Sequence, residues 1–197
     1  MAGSIPFAWL VGKAHGIDLR DEGSGNVGTG NVAELTNWWW GLAVFVLDVS
    51  KAAVAILLAE GLGETAQVVT AWGVITGHAW PVWLRFIGGR GQLVALVGGG
   101  LLAPFATAGL LPILGVGAFW KTPDTRPGHR SHLPQAWLVA VLVYPLLAIW
   151  LDNQPAGLYA IGVTVLTIVR RLTGSPRLAH KPFRQAWRTR LIWDAEP

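Results

Sequence analysis

The run Trp38-Trp39-Trp40-Gly41-Leu42-Ala43-Val44-Phe45-Val46-Leu47-Asp48-Val49-Ser50-Lys51-Ala52-Ala53-Val54-Ala55-Ile56-Leu57-Leu58 decides the fold. A helix needs about 20 mostly apolar residues to cross the hydrocarbon core of a bilayer. This run supplies them, and it sets three tryptophans at its start, where the headgroup layer would lie. Inside it Asp48 and Lys51 stand three apart, on neighbouring helix faces, where opposite charges pair and reduce the cost of burial. Charges within a span mark function by default, and a pair that only fixes helix packing is the plainer alternative.

The rest of the 197-residue chain reads the same way, with 52% apolar residues against 13% charged, and the apolar residues gathered into long runs. That composition belongs to an integral membrane protein of one domain. The absence of cysteine removes disulfides and thiolate metal sites. A formal charge of +4 raises the question of nucleic acid. The basic residues lie in short loops and a tail between apolar spans, so no nucleic-acid partner is expected.

Before the first full span, Gly3 to Val11 is too short to cross and reads as the end of a membrane helix; Lys13 to Thr36 reads as a polar loop. After it come a span over roughly Val68 to Phe86 and an apolar stretch from Gln92 to Trp120, interrupted by Gly98-Gly99-Gly100, Pro104 and Pro112. Such residues break a single straight helix. A hairpin of two short helices turning near Pro104 also brings every basic loop to one side, leaving Glu60, Glu64 and Asp152 on the other. Pro134 to Leu151 and Leu158 to Leu172 are the last spans. The expectation is a compact all-α membrane bundle of about seven transmembrane or half-spanning helices, N-terminus outside and C-terminus cytoplasmic by the positive-inside rule. Residues 1–172 form the membrane domain. Residues 173–197 form a basic cytoplasmic tail, in which Phe183, Trp187 and Leu191 recur every four residues between arginines, as in a helix lying on an anionic membrane surface.

Two polar stretches carry the chemistry. In Gly23-Ser24-Gly25-Asn26-Val27-Gly28-Thr29-Gly30-Asn31, glycines let the backbone approach a ligand closely, and Ser24, Asn26 and Asn31 offer hydrogen bonds to an anion; feeding a membrane helix, the stretch reads as an oxyanion site. A flexible, Asn-capped loop is the alternative. In Gly88-Gly89-Arg90-Gly91, three glycines around an arginine let backbone N–H groups and a guanidinium converge on one anion. His78 precedes this loop as a proton carrier, a phosphate donor or a packing residue. His129 and His132 have the spacing of a metal pair but lack a third ligand nearby, so neither metal nor cofactor is expected.

Gly3-Ser4-Ile5-Pro6, Asp18-Leu19-Arg20, Gly23 to Gly28, Asp48 with Lys51, Gly77-His78, Pro81, Phe86 and Gly88 to Gly91 together resemble the PlsY family of bacterial acyl-phosphate:glycerol-3-phosphate acyltransferases. The resemblance covers about the first 90 residues. It implies a seven-helix enzyme of phospholipid biosynthesis in the bacterial inner membrane, its active face cytoplasmic, moving an acyl chain from acyl phosphate to the 1-hydroxyl of glycerol 3-phosphate. On it, Ser24, Arg90 and His78 are the catalytic candidates, and Gly23, Ser24, Gly25, Asn26, Gly28, Asn31, Gly88, Gly89, Arg90 and Gly91 the phosphate-binding ones. The second half departs from the family pattern: Glu34 stands where an arginine is usual, and Val165, Ile168 and Pro176 stand where polar groups are usual. A carboxylate about 4 Å from a phosphate is repelled by roughly 4 kcal/mol at an effective dielectric near 20. Glu34 therefore points away, or the acceptor differs, or catalysis is lost. Two other functions stay in view, a non-catalytic lipid-binding subunit with protein partners and a small transporter coupled through Asp48 and Lys51.

Overall fold

The computed structural model describes residues 2–123, 131–173 and 191. Among them are eight α-helices and no strand: α1 (Phe7–Ala14), α2 (Thr29–Leu35), α3 (Trp38–Leu58), α4 (Glu64–Ala79), α5 (Gln92–Leu102), α6 (Pro104–Phe119), α7 (Leu133–Leu151) and α8 (Gln154–Thr173). Three helical stretches, Trp38–Leu62, Leu133–Leu151 and Gln154–Thr173, are long and apolar enough to cross a bilayer, and the shorter α5 and α6 are apolar as well.

Helix α3 shows how the sequence is read by a lipid solvent. Its buried residues, Gly41, Val44, Asp48, Lys51, Ala52 and Ile56, recur at three- and four-residue intervals and include both charges. Phe45, Val46, Leu47, Val54 and Leu58 are exposed. Apolar residues outward and charges inward is the pattern expected where the surroundings are hydrocarbon. The helix begins where the Asn37 side chain accepts from Trp39 N at 3.0 Å and Trp40 N at 3.2 Å, satisfying two of the N–H groups a helix start leaves open.

The hairpin expected between residues 92 and 120 is present, and its break falls at Ala103, with Pro104 opening α6. Asp152 closes the turn, accepting from Phe105 N at 3.1 Å and Ala106 N at 2.9 Å. The glycine triplet does not break α5, contrary to expectation. Gly98 lies against the Tyr159 ring, and Gly99 against Thr107 and the Tyr144 hydroxyl. The missing side chains let two tyrosines pack where a Cβ would stand, which outweighs the poor helix propensity of glycine. Tyr159 Oη donates to Ala95 O at 2.6 Å, and Tyr144 Oη bonds Thr107 Oγ1 at 2.8 Å.

Two further boundaries differ from the sequence reading. Helix α4 stops at Ala79, before Pro81, instead of running to Phe86, and a 3-10 turn over Val82–Leu84 leads to Arg85 and Phe86 at φ 53° and 65°. Residues Lys13 to Thr36 are not all loop, because α2 lies within them, its Ala33 packed against Gly41 of α3. The first glycine stretch therefore feeds α2, a helix of 7 residues, and not a membrane helix. The N-terminal turn, Ala2–Ser4, packs on α4, with Gly3 against Val74 and Ser4 against Gly77.

Candidate functional site

The first glycine stretch is shaped by its own last residue. Asn31, buried on α2, accepts from Ser24 N at 2.9 Å and donates to the carbonyls of Leu19 and Glu22, both at 3.1 Å. Its amide is thus committed at both ends to holding the loop closed. Gly23 and Gly25 take φ of 57° and 69°, the left-handed region that side chains disfavour. Gly28 lies beside Asn26 Nδ2, and Asn26 Oδ1 is buried with no hydrogen-bond partner. A buried acceptor without a donor is costly unless a ligand or water completes it.

Upstream, Asp18 accepts from Arg20 at 2.9 Å (Nε), 2.7 Å (Nη2) and 3.2 Å (backbone N), and pairs with Lys13 at 3.2 Å. The Arg20 guanidinium, more than the opposing effect of burial, holds the Asp18 carboxyl well below the usual carboxylate range; Asp18 in turn holds Arg20 up.

The second glycine stretch folds back over the end of α4. Gly88 N donates to Ala79 O and Gly89 N to His78 O, each at 3.1 Å, which brings Gly89 over the imidazole of His78. The opposite side of this loop is tied to α8: Arg170 Nε donates to Gly89 O at 2.9 Å and Nη2 to Gly88 O at 2.7 Å. Arg171 reaches the Pro134 carbonyl at 2.6 Å and the carbonyl of Leu191. In the sequence the two arginines stand at the end of the last expected span, Leu158 to Leu172. Both are buried. Two adjacent arginines point about 100° apart around a helix, so one reaches the Gly88 loop and the other α7.

Below the loop is a buried cluster. Lys51 Nζ lies 2.6 Å from Asp48 Oδ1, 3.0 Å from Ile5 O and 3.1 Å from His78 Nδ1. The cation also sits 5.5 Å from the centre of the Phe7 ring. The two glycine stretches meet above it. A Cβ on Gly89 would stand 2.7 Å from the Val27 carbonyl oxygen and collide with His78 Nε2. Val27, His78, Lys51, Asp48, Gly88 and Gly89 line a cavity of about 10 Å³, the size that holds one water-sized atom.

Of the expected site residues, Gly88 and Gly89 thus come to the end of α4 at His78, and Val27, between Asn26 and Gly28 on the first stretch, comes to Gly89. Asn31 supports the loop from behind, and Glu34 is exposed on α2. Lys51, read from the sequence as the partner of Asp48, also reaches His78 and the Ile5 carbonyl, and Arg170 is the neighbour of this cluster that the sequence did not reveal. His129, Arg126, Pro176, Phe183 and Trp187 lie outside the described residues. Among those described, no group of three or more His, Asp or Glu is arranged to hold a metal.

The family model for glycerol-3-phosphate acyltransferase matches residues 1–181. Glycerol-3-phosphate acyltransferase 5 of Dehalococcoides mccartyi is 48% identical over 107 residues, 53% of this chain and 46% of that protein, so the matched part spans about half the relative's length. The Brucella abortus glycerol-3-phosphate acyltransferase is 35% identical over 178 residues, covering 89% of this chain and 84% of its own. Among solved structures, crystals of PlsY, an integral membrane glycerol 3-phosphate acyltransferase, superpose with TM-scores of 0.72 in the glycerol 3-phosphate form and 0.69 in the lysophosphatidic acid form. They are 27% and 26% identical to this chain, and each comparison covers 86% of it and 82% of PlsY.

Proposed function

The chain belongs to the glycerol-3-phosphate acyltransferase family, and from that premise we propose that it transfers an acyl chain from acyl phosphate to the 1-hydroxyl of glycerol 3-phosphate at the bacterial inner membrane. The hydroxyl oxygen attacks the acyl carbon, the bond from that carbon to the phosphate oxygen breaks, and lysophosphatidic acid and phosphate leave, with the hydroxyl proton passing to phosphate or solvent. Acyl phosphate is already activated, so the protein's tasks are to hold two anionic groups together and to stabilise charge on the reacting oxygens.

The observation that carries this reading is the meeting of the two glycine turns at Val27 and Gly89, directly over His78. Turns with open backbone suit phosphate oxygens. Arg90 supplies a cation there, Ser24 supplies a hydroxyl donor, the unsatisfied Asn26 Oδ1 accepts from a substrate hydroxyl, and His78 orients a substrate oxygen or relays a proton. An apolar groove of about 530 Å³ between α6 and α7 is lined by Pro112, Ile113, Val116, Trp120 and Val139, with His132 and Gln135 on either side of Pro134, whose carbonyl Arg171 holds. A fatty chain fits such a surface. Purified protein given acyl phosphate and glycerol 3-phosphate should release phosphate, and Ser24→Ala and Arg90→Ala should each lower that rate by about 100-fold or more, the usual loss when one anion-stabilising group is removed. No turnover by the wild type would refute the activity.

A further inference from the structure

The contacts of one ammonium group decide which way the site histidine carries its proton. Lys51 Nζ has three acceptors within 3.1 Å: Asp48 Oδ1, the Ile5 carbonyl and His78 Nδ1. An ammonium has three protons and no lone pair. It donates to the Ile5 carbonyl and forms a close ion pair with Asp48, and to His78 Nδ1 it can offer only an N–H, so Nδ1 is left only the role of acceptor. The Asp48 carboxylate is too far from Nδ1, at 3.7 Å, to take a proton from it by hydrogen bonding. A neutral amine accepting from Nδ1–H would leave the Asp48 carboxylate buried without a countercharge, an arrangement that is strongly disfavoured.

We propose that Lys51, braced by Asp48 and the Ile5 carbonyl, fixes His78 as the tautomer protonated on Nε2, and so makes it a hydrogen-bond donor into the cleft between Val27 and Gly89 instead of a base. Nε2 is the ring nitrogen that faces Gly89, and the adjoining cavity of about 10 Å³ has room for one oxygen atom. The ligand class is an oxygen acceptor, either a phosphate oxygen or the acyl oxygen on which charge develops. Asp48 and Lys51 are positioning residues, since they act on the substrate only through the ring. This assignment of the donor's role rests on the acyl-transfer reading above, whereas the tautomer itself does not.

The test begins with the unaltered protein. In 15N-histidine-labelled protein in detergent, His78 should show a pyrrole-type resonance for Nε2 and a pyridine-type one for Nδ1. Loss of those signals in His78→Gln assigns them; should that variant fail to fold, a protein in which His15, His129, His132 and His180 are replaced leaves His78 as the sole source of signal. Protonation on Nδ1, or on both nitrogens, overturns the proposal. Phosphate release supplies the second readout: His78→Gln, whose amide still donates, should stay within about tenfold of wild type, and His78→Leu should fall by about 100- to 1,000-fold, the range for loss of one oxyanion donor. Equal losses in the two variants overturn the donor role. A wild type that shows the Nε2 proton but no turnover sinks the acyl-transfer reading and leaves the tautomer standing; turnover with an Nδ1 proton does the reverse.

Discussion

At Gly89 the space for a methyl group is already taken by the Val27 carbonyl and the ring of His78. Gly89→Ala must therefore push apart the two turns that form the cleft. Overpacking of this kind costs roughly 1–3 kcal/mol, too little to unfold a well-packed bundle, so the variant should be recovered folded in detergent with phosphate release lowered by at least about tenfold. Near-normal turnover would mean that the contact between the turns is not needed. Asp18 makes a different prediction, on stability. Its carboxyl is held down chiefly by Arg20, so the folded state keeps the charge to lower pH than the unfolded chain, whose carboxyl titrates near about 4. The stabilisation is complete above that value and is lost as pH falls below it. The thermal midpoint of the wild type should thus drop between about pH 5 and pH 2 more steeply than that of Asp18→Asn; parallel curves would show that the pair contributes nothing.

The helices differ in how plainly the sequence announced them, and the reasons are physical. Helix α3 was legible to its ends because a lipid solvent demands an unbroken apolar run, and Asn37 with the tryptophans marks where it enters. Helix α2 was not, since Thr29, Gly30 and Asn31 favour turns over helix; it exists because Asn31 ties it to Leu19, Glu22 and Ser24 and because Ala33 packs on Gly41. The glycines of α5 read as a break because their partners, Tyr144 and Tyr159, are 45 or more residues away. In the site, residue types suited to anions were visible at Ser24, Asn26, His78 and Arg90, and Asn31, Asp48 and Lys51 were visible beside them, but the contacts that join them were not. Arg170 is the clearest case: nothing in its surroundings along the chain points to two carbonyls 81 and 82 residues earlier. Because that guanidinium ties α8 to the Gly88 loop through two carbonyls, Arg170→Met should leave both short of a donor. A hydrogen bond to a charged group is worth about 1.5–3 kcal/mol, so a lower thermal midpoint and a raised KM for glycerol 3-phosphate are expected together. Arg170→Lys should not restore them, an ammonium lacking the planar fork that reaches both oxygens. Full rescue by lysine would show that charge alone matters there.

Across the whole molecule, the alternation of helices sorts the charges. The turns at Glu60–Leu62, at Ala103 and at Asp152 share one end, where Glu64, Phe105 and Asp152 line a common cleft. At the other end lie the connections with Lys13, Arg20, Arg85, Arg90 and Lys121, brought together by the contacts of Val27 with Gly89 and of Arg171 with Pro134. Basic loops remain cytoplasmic during insertion. The proposed chemistry asks for the same orientation, because glycerol 3-phosphate is too highly charged to cross hydrocarbon and must meet the cleft on the side where it is made. The chain has no cysteine, so single cysteines can report the arrangement without background. Gly61 has open space around it, and Lys121 is exposed. In intact cells a membrane-impermeant maleimide should label Gly61→Cys and spare Lys121→Cys, which should react only in inverted vesicles. The opposite pattern would put the cleft on the outer face and separate it from its phosphorylated acceptor. Labelling of both positions from one side would refute the paired short helices α5 and α6, since only their hairpin gives the acidic and basic ends opposite faces.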